Sequence, residues 1–101
     1  MGKKGYWLAQ FEVTDSEAFI AYQAAVETIL RQYNARFVIR GGRSHTEDAQ
    51  SAVRVVLIEF EDYKSALRCY LSPDYEHAKA LHEGKAVGHV VVLESYDGPQ
   101  P

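Results

Sequence analysis

The chain has 101 residues, 47% of them hydrophobic and 25% charged, with a formal net charge of −3 at pH 7. That length fits one domain with a feasible but modest core, and the composition is that of an ordinary globular protein. The acidic balance argues against nucleic acid or an anionic membrane as a main partner, because both usually need a basic face.

The start, Met1-Gly2-Lys3-Lys4-Gly5, is charged, but no apolar stretch long enough for a signal peptide or a membrane span follows it. Tyr6 to Val13 reads as a strand with Trp7, Ala9, Phe11 and Val13 on one face. Thr14 and Glu17 have capping-box spacing, so a helix should begin there. Phe19, Tyr22, Val26, Ile29 and Tyr33 form its apolar stripe, and Asn34 is a plausible left-handed stop. Arg36 to Arg40 is a second strand, expected to put Phe37 and Ile39 on one face and Arg36, Val38 and Arg40 on the other. Gly41-Gly42 ends it, and the polar run Arg43 to Ala52 reads as a loop.

Val53 to Phe60 is the most apolar strand and is apolar on both faces, with Val53, Val55 and Leu57 opposite Val56, Ile58 and Phe60. Asp62 can cap a second helix whose buried side is expected to be Ala66, Leu67, Tyr70 and Leu71. The lone cysteine, Cys69, excludes an intramolecular disulfide, fits a cytoplasmic setting, and reads as a small buried apolar residue. Ser72-Pro73 has the chemistry of a new helix start, and that helix should run through Tyr75, Ala78 and Leu81 to about Gly84. Gly88 to Tyr96 is the last strand, again apolar on both sides.

The order predicts an α+β domain of ferredoxin-like βαββαβ type, a four-stranded antiparallel sheet with helices on one face. One domain spans 1–101, with its core over about 5–96 and a loose tail at 97–101. Helices can cover only one face of strands that are apolar on both, so a second subunit is the simplest cover for the other.

Three groups of segments carry a family resemblance. The first is Gly5-Tyr6-Trp7 with Val13-Thr14-Asp15 and Phe19-Ile20-Ala21-Tyr22. The second is Arg36-Phe37-Val38-Ile39-Arg40-Gly41-Gly42. The third is Ile58-Glu59-Phe60 followed by Ala66, Tyr70, Ser72-Pro73-Asp74-Tyr75 and Ala78. In this order and spacing the set resembles the uncharacterised family called domain of unknown function 1330 (DUF1330), within the dimeric α/β-barrel superfamily. The resemblance implies a ferredoxin-like fold and a homodimer whose two sheets face each other as a barrel. It implies no activity: the wider superfamily includes cofactor-free monooxygenases, lactone isomerases, haem-handling enzymes and ligand-sensing domains, and fold does not transfer function among them. Asn34-Ala35 stands where the family often has a glycine before the second strand.

Several side chains could carry chemistry. Arg40 and Arg43 flank Gly41-Gly42 and could hold a carboxylate or phosphate, against the plainer reading of a solvated turn. Tyr22, Tyr70 and Tyr75 could line an aromatic pocket, although core packing explains any one of them more simply. Arg54 and Glu59 fall on opposite faces of the third strand; Arg54 reads as reaching water, and Glu59 stays open. Of His45, His77, His82 and His89, none shows metal-ligand spacing, and His89 is the preferred acid–base candidate. Cys69 lacks an activating neighbour, and Trp7 reads as core or interface packing. No cofactor or metal is expected. The leading expectation is a homodimeric α/β-barrel protein with no assignable reaction that binds a small molecule. The alternative is a cofactor-independent enzyme, monooxygenase- or isomerase-like, acting on a small anionic or aromatic compound.

Overall fold

The computed structural model describes residues 3–13, 16–43, 53–81 and 86–101. Thr14, the loop residues from Ser44 to Ala52 (His45 among them), His82 and Gly84 lie outside them. The elements run β1 (Gly5–Val13), α1 (Ser16–Gln32), β2 (Arg36–Arg40), β3 (Val53–Phe60), α2 (Tyr63–Tyr70), α3 (Pro73–Ala80) and β4 (Ala86–Glu94). The strands form one antiparallel sheet in the order β2-β3-β1-β4. This is the ferredoxin-like arrangement, with β1 and β3 central.

Local chemistry accounts for most of the boundaries. Asn34 ends α1 in the left-handed region, at φ 56°. The Ser65 N–H donates to Asp62 Oδ1 at 2.8 Å to cap α2. The Tyr75 N–H donates to Ser72 Oγ at 3.2 Å to cap α3, with Pro73 in the first turn, where its missing N–H costs nothing. β4 begins and ends two residues earlier than the apolar run suggests.

The core fills the space between the helices and one sheet face. Trp7, Ala9 and Phe11 of β1 meet Val56, Ile58 and Phe60 of β3, and Phe19, Tyr22, Val26, Ile29 and Leu30 of α1 close over them. Ala66 and Cys69 of α2 and Tyr75 and Ala78 of α3 complete it. Trp7 is the hub. Its ring lies 4.8 Å from that of Tyr75 and 5.2 Å from that of Phe60, and its indole N–H donates to the Ala66 carbonyl at 2.8 Å. Leu71 corrects the expected α2 face. It caps the helix C-terminus and is 65% exposed, while Cys69, two residues earlier, takes the buried position.

β2 corrects the expected alternation. Phe37 pairs with Ile58, but Ile39 pairs with Leu57 and Arg40 with Val56. One extra residue, at Val38, makes a β-bulge. After it the faces exchange: Ile39 joins the face away from the helices, and Arg40 joins Phe37 on the helix side. Gly41 and Gly42 follow at φ 69° and 87°, a pair of positive angles that glycine adopts without strain.

Helices cover one face only. The other carries Leu8, Val55, Leu57, Val91 and Leu93 by register, with Ile39 beside them. Val91, Leu93 and Ile39 are 38%, 39% and 44% exposed. The domain is a slab of 41 × 37 × 17 Å with 7126 Å² of accessible surface. A compact monomer of this mass exposes about 5,800 Å².

Phe60 is 1% exposed and packs on Trp7. Replacing it with Ala should cost about 3–5 kcal/mol, read from urea unfolding. A loss below about 1 kcal/mol would show that the Trp7 cluster does not organise the core.

Candidate functional site

The helix side of the sheet holds a small cavity between α1 and the strands. Its volume is about 30 Å³, enough for a water or two. Trp7, Ala9 and Phe11 of β1, Val56 and Ile58 of β3 and Val90 of β4 make the floor; Phe19, Tyr22 and Val26 of α1 make the roof. Gln23, Phe37 and Arg40 also line it and reach solvent, so they mark its mouth on the α1–β2 side. The wall is otherwise apolar and aromatic, the usual make-up of a small-molecule site with a few polar groups to orient the ligand.

The bulge at Val38 puts Arg40 here. Its guanidinium lies 4.1 Å from the centre of the Phe37 ring, and its Nη1 donates to Glu27 Oε1 at 2.9 Å. Both partners are about two-fifths exposed. Arg54 stands on the same sheet face, one diagonal step from Arg40 across the β2–β3 pairing, with its guanidinium 5.6 Å from the Phe19 ring. It is exposed, and no ion pair joins it to a described residue. Arg43 is exposed beyond the glycine turn and does not line the cavity.

The three tyrosines take different places. Tyr22 lines the cavity, and its hydroxyl meets that of Tyr75 at 2.8 Å behind the wall. Burial pushes the Tyr22 phenol up to about 12, and burial beside Tyr22 raises that of Tyr75 further. Tyr70 packs tilted against Tyr75 at 5.4 Å and lies edge-on to Trp7. Tyr75 and Tyr70 thus pack behind the cavity wall. Cys69 is buried, and desolvation pushes its thiol up to about 12.

His89 lies on the uncovered face, paired in register with Gln10. The structure therefore does not bring His89 and Arg40 together; the sheet separates them. Glu59 is on that same uncovered face. It accepts from Arg36 Nε at 2.8 Å and from the Tyr6 hydroxyl at 3.0 Å. The bond from Arg36 is the main reason its carboxyl stays below the ordinary range, and the bond from Tyr6 adds to this. Among the described residues no three His, Cys, Asp or Glu side chains gather as metal ligands, and no helix is long and apolar enough to cross a membrane.

Of the residues that stand out in the sequence, Arg40 and Tyr22 line the cavity; Gln23 and Phe37, which also line it, and Glu27, which pairs with Arg40, do not stand out there. Gln23 and Glu27 carried a signal: they are four apart, on the flank of the α1 stripe. Phe37 and Arg40 share a face only because of the bulge, which no residue type announces.

Residues 4–96 match the family described as "Domain of unknown function (DUF1330)". No curated protein matches the chain. Among solved structures, a protein of unknown function from Rhodopseudomonas palustris is similar at TM-score 0.72 and 14% identity, over 97% of this chain and 86% of that one. A dimeric ferredoxin-like protein of unknown function from Jannaschia is similar at TM-score 0.68 and 12% identity, over 93% and 99%. SnoaB, a cofactor-independent oxygenase from Streptomyces nogalater, is similar at TM-score 0.67 and 11% identity, over 96% and 97%. At these identities the likeness establishes the fold.

The Tyr22 hydroxyl stays protonated in the folded state well above the ordinary tyrosine value of 10.0. Its stabilising contribution is therefore complete below about pH 10 and is lost as the pH rises towards 12. The unfolding free energy of the wild type should fall more steeply between pH 9.5 and 11.5 than that of Tyr22→Phe. At pH 7 that variant should lose about 1–3 kcal/mol, because the Tyr75 hydroxyl is left buried without its partner. Parallel pH curves would refute the coupling.

Proposed function

The chain belongs to the DUF1330 family, and on that premise we propose that it is a homodimeric α/β barrel in which each protomer binds one small, largely apolar molecule in the cavity between α1 and the sheet. The observation that carries this reading is the cavity itself: an aromatic chamber with Gln23 and Arg40 as polar groups at its mouth to orient a guest. The dimer reading rests on the uncovered apolar face and on the Jannaschia neighbour, described as dimeric. Pairing two such faces makes the barrel and leaves each cavity on the outer, helix side. A cytoplasmic location fits the single unpaired Cys69.

The oxygenase activity named for SnoaB suggests catalysis in the same chamber as a second reading. It is the weaker one. A general base works best near the operating pH, and among the described residues the titratable groups lining the cavity are Arg40 and Tyr22, the latter pushed up to about 12. His89 lies across the sheet from the cavity.

Trp7 is the chain's single tryptophan and lines the cavity, so its fluorescence reports on occupancy. In a panel of small phenols and carboxylic acids, a binder should change Trp7 emission and raise the unfolding midpoint by mass action. Val26→Phe, which fills the chamber, should remove both responses while the protein stays folded. A panel without effect, or responses unchanged in the filled variant, would contradict the reading.

A further inference from the structure

The mouth of the cavity holds a cation that is already engaged. Arg40 lies over the Phe37 ring at 4.1 Å and reaches Glu27 at 2.9 Å, so one ion pair joins β2 to α1 beside the opening. Phe37 lines the cavity, and Arg40 lines it beside Phe37. The enclosed volume, about 30 Å³, is too small for an organic guest until these side chains move. Arg40 is one of the side chains at the mouth that would shift to admit a guest, and its pair with Glu27 shifts with it.

From this we infer that Glu27 is a built-in stand-in for the ligand's own charged group, and that the natural ligand is a carboxylic acid with a small apolar body. A carboxylate is the group whose geometry matches what Glu27 offers to Arg40. Its entry exchanges one carboxylate for another on the same guanidinium. A neutral guest would break the pair and replace it with nothing. Arg54, on the same face without an ion pair to a described residue, adds positive field on the same side. It helps to hold two carboxylates near one guanidinium while they exchange. Glu27 does not touch the bound acid in this scheme. It acts through Arg40 as a latch, and its strength sets how far the site prefers acids over neutral molecules of the same shape.

The inference rests on the cavity reading, and the test separates the two. Benzoate and its neutral counterpart benzamide are titrated against wild type, Glu27→Gln and Arg40→Gln, with Trp7 fluorescence as the readout. Glu27→Gln should tighten benzoate by up to about fivefold, the ceiling set by the worth of a half-exposed ion pair. Arg40→Gln should abolish the preference for benzoate over benzamide, and in Glu27→Gln that preference should exceed the wild-type value. All three proteins should unfold at nearly the same midpoint, since the pair is largely solvated. Benzamide binding with a benzoate affinity unchanged or weakened in Glu27→Gln overturns the latch and leaves the cavity reading standing. Failure of both probes on all three proteins overturns both.

Discussion

The structure depends on one imbalance: its central strands carry apolar side chains on both faces, and the helices cover only one. On the covered face Trp7 gathers Phe60, Tyr70 and Tyr75 around it, and the aromatic stripe of α1 closes the layer. Burial of that face supplies most of the driving force a domain of this size has. On the uncovered face Leu8, Val55, Leu57, Val91 and Leu93 stand in rows with polar ends, Glu59, Arg36 and Tyr6 among them. A monomer leaves this face exposed to water.

The bulge at Val38 decides which side receives the charge. Without it Arg40 would alternate onto the uncovered face, and Ile39 onto the helix side. With it, an apolar residue is added to the uncovered face, and an arginine to the mouth of the chamber. Arg40 is tolerated there because it stays partly solvated, lies on Phe37 and reaches Glu27. One inserted residue thus shapes the uncovered face and the candidate site together.

Much of the fold was legible in the sequence because its signals are local. Trp7-Ala9-Phe11 alternation, the 19-22-26-29 stripe, Asn34, Asp62 and Ser72-Pro73 each specify an element or its end through nearby backbone chemistry, and the structure keeps all of them. The two-faced apolarity of β3 was also plain, and it pointed to the uncovered face. The site was legible only in part. Tyr22 and Arg40 could be singled out as residue types, but the contact of Arg40 with Phe37 and Glu27 depends on a register shift and on helix packing, which are tertiary. Leu71 misled for a related reason: a hydrophobic residue at a helix terminus follows the periodicity but lies beyond the last turn that packs. His89 was attractive by chemistry alone, and strand parity put it across the sheet from the cavity.

What covers the second face decides how the protein exists in solution. Sedimentation equilibrium of the wild type at micromolar concentration, beside a Leu57→Lys variant, tests this most directly. Leu57 lies at the middle of the uncovered face, where a lysine can reach water in a monomer but not between two sheets. The account predicts a wild-type mass twice 11.4 kDa and a folded monomer for the variant. A wild type that sediments at 11.4 kDa would contradict it, as would a variant that remains a dimer.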